Sequence, residues 1–332
     1  MVLDSVLGGW LRWDGSWYVG IAAHGYSYQP HHMSSVAFFP VYPLIARAIG
    51  AVLPGGVDVA AILITVASGA SAFVLLQRWC LSRMERTAAR AAVIALAVYP
   101  YAWFLYGSAY SDALYLALVL AAFLLLEQQR PMAAGLVGAI ATATRPTGLT
   151  LLIGLIAVAV DNPRLRTRAW TLSLSAAGLL AWMAWLAHTF GNPLAFIETE
   201  GAPGWDQPPG WHTWLKGNLP DRLTRLSPPE AVSIIVQIVA CVAFLALVPA
   251  VVRRFGRGYG IYAAVAILVP AISTGDFVGV GRYLLPVFPV FAVIGIASDR
   301  IAAPTVLRVA RALSVVFLLL GAGLFSAGYL LS

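Results

Sequence analysis

Residues 230–251, EAVSIIVQIVACVAFLALVPAV, contain one charged side chain in 22 positions, and this stretch decides the fold class. A helix of that length extends about 33 Å and crosses the ~30 Å hydrocarbon core of a bilayer. The whole chain follows the same trend, because 60% of its 332 residues are apolar and only 11% are charged. Soluble domains carry about 25% charged residues. The composition therefore excludes a soluble protein and predicts an all-α integral membrane protein.

Apolar runs bounded by charge, Gly or Pro predict about ten transmembrane helices. They cover residues 59–77, 88–106, 109–126, 132–144, 147–160, 169–190, 230–251, 259–275, 282–298 and 312–330. Two of these runs, 132–144 and 147–160, are too short to cross the bilayer at a rise of about 1.5 Å per residue. We predict that they form a bent hairpin whose tip, Thr144-Arg145-Pro146-Thr147, lies inside the protein.

Arginine clusters occupy every second connection between the predicted spans. These connections are residues 78–90, 127–131, 161–168, 252–258 and 299–311. By the positive-inside rule they are cytoplasmic. This parity places residues 1–58, the loop 191–229 and the C-terminus on the outer side. It also makes the apolar residues 38–53 an interfacial segment rather than a further span.

The net charge of +7, from 21 Lys+Arg against 14 Asp+Glu, divides unequally between the two sides. The cytoplasmic connections hold 14 Arg and 4 acidic residues, which leaves 7 cations and 10 acidic residues outside. The basic surplus is therefore an orientation signal, and it gives no reason to predict nucleic-acid binding.

Four regions follow from this organisation. Residues 1–58 form an outer-face segment with interfacial helices, and residues 59–190 form the first part of the membrane bundle, including the short hairpin 132–160. Residues 191–229 form an outer loop rich in Gly, Pro and Trp. Residues 230–332 complete the bundle.

Ionisable side chains within spans are costly unless they face a polar cavity, so each one is a candidate site residue. Away from the cytoplasmic ends these are Asp112, Arg145 and Arg282, and all three lie toward the outer face. Arg145 either forms a buried ion pair with Asp112 or Asp276, or holds a phosphate diester as a bidentate fork. Arg282 either snorkels to lipid head groups or belongs to the same site, and Asp112 either caps its helix or supports the site.

Asp14 follows Arg12 and Trp13 in the first outer segment, where a helix is expected to begin. It is either an ordinary N-cap or a general base for a hydroxyl acceptor. The helix after it would place Trp17, Ile21 and Ala22 in one stripe suited to the membrane interface.

The five histidines and the two cysteines, Cys80 and Cys241, give no metal-ligand spacing and no disulfide framework. We therefore predict no metal and no other cofactor.

Several blocks together resemble the PIG-V-like mannosyltransferases, bacterial relatives of the second mannosyltransferase of GPI-anchor assembly. The blocks are Arg12-Trp13-Asp14 with Trp17-Tyr18, Gly25-Tyr26, Ala37-Phe38-Phe39-Pro40-Val41-Tyr42-Pro43, Ser111-Asp112-Ala113-Leu114, Thr144-Arg145-Pro146-Thr147-Gly148, Gly191-Asn192-Pro193-Leu194-Ala195-Phe196, and Arg282-Tyr283 with Pro286 and Pro289. The resemblance runs from about residue 10 to about residue 290, and the combination is more specific than any single block. Full-length family members are expected to have eleven spans, with one helix before the Trp-Asp block.

The resemblance implies a GT-C-like glycosyltransferase that takes mannose or a related sugar from a polyprenyl-phosphate donor. The sugar would pass, with inversion and without a metal, to a hydroxyl of a lipid-linked or exported acceptor on the extracytoplasmic side of a bacterial plasma membrane. The implied partners are the donor, the acceptor and membrane lipids. Asp14 maps onto the catalytic base, and Arg145, Arg282 and Tyr283 onto the donor phosphate site. The supporting residues are Arg12, Trp13, Ser111, Asp112 and His24.

Two other functions are consistent with the same residues. One is a transporter or flippase for a lipid-linked or anionic substrate, although such proteins usually show repeated halves or polar groups at both faces. The other is a non-catalytic subunit of a glycosyltransferase complex, in which substitution of Asp14 would leave activity intact.

Overall fold

The structure is a computed structural model that describes residues 8–217, 219–301 and 303–331, and every regular element among these residues is helical. After a helical piece at residues 8–10, the α-helices are α1 (Asp14–His24), α2 (Val41–Gly50), α3 (Gly56–Leu81), α4 (Arg86–Ala97), α5 (Asp112–Glu127), α6 (Pro131–Thr142), α7 (Gly148–Asp161), α8 (Pro163–Arg166), α9 (Ala177–Phe190), α10 (Ala195–Glu200), α11 (Trp211–Trp214), α12 (Leu219–Arg225), α13 (Pro228–Phe255), α14 (Arg257–Ser273), α15 (Val280–Tyr283), α16 (Phe288–Arg300) and α17 (Pro304–Ala327). Three 3₁₀ segments, Ser35–Ala37, Ala102–Leu105 and Ala169–Ala176, join them.

Four helical stretches within the described ranges are long and apolar enough to cross a membrane. They are α3, the combined stretch Ala169–Phe190, α13 and α17, with 26, 22, 28 and 24 residues. Each corresponds to one of the ten predicted spans. The two helices of the predicted hairpin, α6 and α7, have 12 and 14 residues. At about 1.5 Å per residue they extend about 18 and 21 Å, which agrees with the prediction that neither crosses alone.

Two predicted spans, 88–106 and 282–298, are not continuous helices. The first ends as α4 at Ala97, shortly before Pro100, and continues as the 3₁₀ segment Ala102–Leu105. The second consists of the four-residue α15, a break around Pro286, and then α16. Proline has no N–H to donate and disfavours a helical conformation in the residue before it. The prediction of unbroken helices is wrong here because apolar composition does not register these breaks.

The last helix, α17, begins at Pro304, eight residues before the predicted start of the span at 312. It contains Arg308 and Arg311, which belong to the predicted cytoplasmic connection 299–311. Long arginine side chains near the end of a span can extend their charge out of the apolar layer. The positions of these arginines therefore did not indicate where α17 begins.

The first helix, α1, buries its apolar face instead of presenting it to lipid. Tyr18, Ile21 and Ala22 are buried in a cluster with Tyr42 of α2, whose hydroxyl donates to the Ala61 carbonyl of α3 at 2.7 Å. The predicted interfacial stripe is therefore wrong for Ile21 and Ala22. Because α1 is packed onto α2 and α3, its N-terminus is fixed relative to the bundle.

Hydrogen bonds between connecting segments show which of these segments lie at the same end of the bundle. At one end Tyr28 donates a hydrogen bond to Glu198 at 2.8 Å, which joins two connections that share a predicted side. At the other end Arg254 donates to the Arg83 carbonyl at 3.3 Å, which joins two arginine-rich connections. We call the first of these the site end.

Candidate functional site

A cavity of about 430 Å³ lies at the site end and draws its lining from several separate parts of the chain. Its charged lining residues are Asp14, Arg145, Glu200, Arg222 and Arg282. Asp14, Arg145 and Arg282 were predicted as site residues, whereas Glu200 and Arg222 belong to the loop 191–229. The fold therefore brings the three predicted residues together around one space.

Four charged residues form a continuous series along one wall, and we call it the charge ladder: Asp14, Arg282, Asp112 and Arg145. Arg282 Nη2 lies 2.7 Å from Asp14 Oδ2, and its Nη1 lies 3.9 Å from Asp112 Oδ2. Arg145 donates a hydrogen bond to Asp112 Oδ1. Two acidic groups thus balance two guanidinium groups, as buried charges require. The buried pair of Arg145 with Asp112 is one of the alternatives that the sequence left open.

The arginines face the cavity, whereas Asp112 stands behind them and is not among its described lining residues. The Arg145 guanidinium lies 4.6 Å from the centre of the Tyr283 ring, and that of Arg282 lies 4.9 Å from the Tyr110 ring. Within the described residues the buried Nε of Arg282 has no hydrogen-bond partner. Buried donors are normally satisfied, so this N–H is available to an anionic ligand.

The first turn of α1 holds Asp14 in place. Trp13 adopts a positive φ of 56° immediately before the helix, and the Asp14 N–H donates to the Tyr110 hydroxyl at 3.1 Å. Asp14 is the first residue of α1 and makes no capping hydrogen bond. The simple N-cap alternative therefore does not apply, and the carboxylate projects toward Arg282.

Arg145 lies in the tight turn between α6 and α7, and only 6% of its surface is exposed. The turn is anchored on both sides, because the Val41 N–H donates to the Ala143 carbonyl at 3.2 Å and the Tyr115 hydroxyl donates to the Thr147 carbonyl at 3.2 Å. The hairpin thus carries its guanidinium into the protein, as predicted.

Arg282 lies in α15, just before the break around Pro286 in the predicted span 282–298. The Gly281 N–H donates to Gln237 Oε1 at 2.9 Å, and the Gly281 carbonyl accepts from the Tyr99 hydroxyl at 3.0 Å. A Cβ at Gly281 would lie 2.5 Å from the Tyr101 ring, so a larger residue does not fit without rearrangement. These contacts fix the backbone on which Arg282 is mounted.

The loop 191–229 contributes Glu200, Trp205, Gln207 and Arg222 to the lining of the cavity, and we call these four residues the loop wall. Arg222 Nε lies 2.7 Å from the buried carboxylate of Asp276. Sequence reasoning missed all four residues of the loop wall. The Trp, Gly and Pro content marked the loop as distinct, but no spacing within it indicated which side chains would turn inward.

The pKa of Glu200 is raised to about 7, since burial disfavours its charged form. The negative charge of Asp14 acts in the same direction, whereas Arg282 opposes it. Glu200 is therefore poised to change charge near neutral pH.

The remaining predicted site residues fall into three groups. Trp13 and Tyr283 line the cavity, whereas Ser111 is buried behind it and lies within hydrogen-bond distance of the Tyr18 hydroxyl at 2.8 Å. Arg12 and His24 are exposed and are not among the described lining residues. The structure thus does not bring these two to the cavity, and Arg222 contributes the third guanidinium instead.

Within the described ranges, no group of three or more His, Cys, Asp or Glu side chains is placed to hold a metal ion. The two cysteines are free and buried.

The first 162 residues match the family model described as "Mannosyltransferase (PIG-V)". The match includes Asp14, Asp112 and Arg145, and thus three of the four residues of the charge ladder. Arg282 and the loop wall lie beyond the matched residues.

Two curated proteins, both named GPI alpha-1,6-mannosyltransferase 2, are similar to part of this chain. The protein of Mus musculus is 31% identical over 164 residues, which cover 46% of this chain and 32% of that protein. The protein of Rattus norvegicus is 31% identical over 161 residues, which cover 45% of this chain and 31% of that protein. The chain thus spans about a third of the length of these curated relatives.

One solved structure is similar over most of the chain. It is the crystal structure of ArnT from Cupriavidus metallidurans bound to undecaprenyl phosphate, with a TM-score of 0.54 and 17% sequence identity. The likeness covers 86% of this chain and 54% of ArnT, and so extends beyond the PIG-V match. The predicted all-helical, GT-C-like fold is confirmed, and the chain is an integral membrane protein.

Proposed function

We propose that this protein transfers mannose, or a closely related sugar, from a polyprenyl-phosphate sugar to a hydroxyl group of a lipid-linked or exported acceptor. The observation that carries the proposal is the convergence of Asp14, Arg145 and Arg282 on one cavity. A glycosyl transfer of this type needs a proton acceptor beside the attacking hydroxyl and fixed positive charge beside the leaving phosphate. The charge ladder supplies both within a few ångströms.

In the proposed step the Asp14 carboxylate takes the proton of the acceptor hydroxyl. The acceptor oxygen forms a bond to the anomeric carbon from the face opposite the phosphate, so the configuration inverts. The bond from that carbon to the phosphate oxygen breaks, and its electron pair leaves with the polyprenyl phosphate. Atoms and charge balance without a further reactant.

Arg145 and Arg282 would bind the phosphate before and after this step. Guanidinium groups match phosphate oxygens in bidentate geometry. Because Asp14 is the partner of Arg282, a phosphate that approaches Arg282 competes with it. Donor binding would therefore release the carboxylate for its role as base. The likeness to ArnT, whose structure contains undecaprenyl phosphate, supports a polyprenyl donor.

The reaction would take place at the extracytoplasmic face of a bacterial plasma membrane, and it would need no metal ion. The arginine distribution supports this orientation, since the cavity lies at the end that collects the arginine-poor connections. The absence of a metal requirement is tested by transfer assays with and without EDTA, in which unchanged rates are expected.

The direct test measures transfer from radiolabelled undecaprenyl-phosphate mannose in membranes that contain the wild type or Asp14→Asn. We expect a loss of about 10²-fold or more, because the amide cannot take a proton. Asp58→Asn is the matched control, since Asp58 is an exposed carboxylate in the first turn of α3. Near wild-type transfer by a normally expressed Asp14→Asn protein would overturn the assignment of the base.

A further inference from the structure

The loop wall carries a carboxyl group that the proposed step does not use. Glu200 is the last residue of α10, and its backbone carbonyl accepts a hydrogen bond from the Gln207 N–H at 2.9 Å. This bond joins two residues of the loop wall. Its side chain lines the same cavity as Asp14 and Arg282. The loop therefore presents a second acidic group to the space in which the reaction would occur.

Glu200 differs from the other carboxyl groups around the cavity. Asp14 is paired with Arg282, Asp112 with Arg145, and Asp276 with Arg222. Within the described part of the chain, no hydrogen bond or ion pair to the Glu200 carboxyl group is found. Glu200 lines the cavity, so a carboxyl group without a protein partner is free to contact a ligand there.

The aromatic residues that line the same cavity as Glu200 indicate the kind of ligand that would fit there. Trp205 of the loop wall and Trp17 of α1 have ring centres 5.7 Å apart, and Phe38 stacks on Trp17 at 5.7 Å with an interplanar angle of 15°. All three rings line the cavity. Apolar faces and a carboxyl group in the lining of one cavity suit a ligand with a flat apolar side and hydroxyl groups at its edge.

We propose that Glu200 is an acceptor-binding residue, whose carboxylate accepts a hydrogen bond from a hydroxyl group of the acceptor held against Trp205. This inference rests on the proposed function, and it divides the cavity into two parts. The charge ladder holds the donor phosphate, and the loop wall holds the acceptor.

The inference predicts a dependence of acceptor binding on pH. The pKa of Glu200 is about 7, so the carboxylate becomes fully available only above neutral pH. The other ionisable lining groups are Asp14, Tyr18, Arg145, Arg222, Arg282 and Tyr283, with His212 in an adjoining hollow of about 250 Å³. The arginines stay charged throughout this range. We therefore expect the half-saturating amount of acceptor to fall as pH rises from 6 to 8, with the steepest change near 7.

The test compares the wild type with Glu200→Gln, purified in lipid nanodiscs. Radiolabelled undecaprenyl-phosphate mannose is the donor, and the acceptor pool is a membrane-lipid extract from cells that lack this protein, added in increasing amounts. At pH 8 we expect Glu200→Gln to raise the half-saturating amount of extract about tenfold, the value of one hydrogen bond to a charged group. The KM for the donor is expected to stay within about twofold of wild type. The half-saturating amount of extract is expected to lose its dependence on pH.

Asp221→Asn is the control, because Asp221 belongs to the same loop but is exposed and paired with Arg225. Half-saturating amounts do not depend on the fraction of protein that folds, so a poorly folded variant remains informative. An unchanged half-saturating amount in Glu200→Gln would overturn the inference while leaving the proposed function intact. A rise in donor KM of the same size would also overturn it, since it would place Glu200 at the donor. Absence of transfer by the wild type would instead remove the proposed function, and the inference with it.

Discussion

Charged side chains form a network at each end of the bundle, and the two networks differ in what surrounds them. At the site end three residues of the charge ladder, Asp14, Arg145 and Arg282, line a cavity of about 430 Å³. At the other end Glu127 accepts hydrogen bonds from Arg83, Tyr259 and Trp79, and Arg83 lies 4.3 Å from the centre of the Trp79 ring. We call this second network the closed cluster. None of its four residues lines the cavity.

The comparison shows that ion pairing by itself does not mark a functional site. Both networks satisfy their charges with opposite charges and aromatic rings, as polar groups near an apolar layer must. The difference lies in free space and free donors. Among the residues that the structure describes, Arg282 Nε has no partner and lies beside a cavity, whereas Glu127 accepts from donors of three side chains. The ladder is therefore suited to bind a ligand and the closed cluster to hold helices together.

The largest effect is expected for Arg282→Ala. This change removes the partner of Asp14 and one of the two guanidinium groups assigned to the phosphate. Loss of a preorganised charge of this kind costs about 10²–10³-fold in turnover, so we expect transfer to fall by that factor in membranes. Arg282→Lys restores the charge without the bidentate geometry and is expected to recover only part of the rate. Full activity of Arg282→Ala would place the donor phosphate elsewhere.

A smaller effect is expected for Asp112→Asn. The amide keeps the shape but loses the charge that holds Arg145, and Asp112 does not line the cavity. Since Arg145 would still be present but less well oriented, we expect the KM for the donor to rise about tenfold. The half-saturating amount of acceptor is expected to stay unchanged. Thermal unfolding of the purified variant measures the accompanying loss of stability. A change in the half-saturating amount of acceptor alone would contradict the assignment of the charge ladder to the donor.

The residues of the charge ladder could be predicted from the sequence. Asp112, Arg145 and Arg282 stand out because charges are rare in apolar runs, and the alternation of arginine-rich connections placed them toward one face. Asp14 was found through its Arg-Trp-Asp block. The side chains of the loop wall were not, because a loop without periodicity gives no indication of which residues face inward. The broken spans were missed for a related reason, since hydropathy averages over single prolines such as Pro100 and Pro286.

A modest effect is expected for Gln237→Leu, which tests how the broken span positions the ladder. Gln237 is fully buried in α13 and accepts from the N–H of Gly281, next to Arg282. Leucine fills the space but leaves that N–H without an acceptor, which costs about 1–3 kcal/mol. We expect the rate of transfer to fall about three- to tenfold. The KM for the donor is expected to change more than the half-saturating amount of acceptor. Gln237→Glu, which keeps the accepting oxygen, is expected to retain more activity than Gln237→Leu.

The smallest effect on transfer is expected for Glu127→Gln in the closed cluster. The amide weakens the contacts to Arg83 and Tyr259, so we expect the free energy of unfolding to fall by about 1–2 kcal/mol, since the pair is partly exposed to solvent. Transfer per folded molecule is expected to stay within about twofold of wild type, because no residue of this cluster lines the cavity. The measurement is turnover normalised to the folded fraction from size-exclusion chromatography, with thermal unfolding alongside. A large loss of normalised turnover would show that the two ends are coupled, and ion pairing at the closed end would then belong to the function as well.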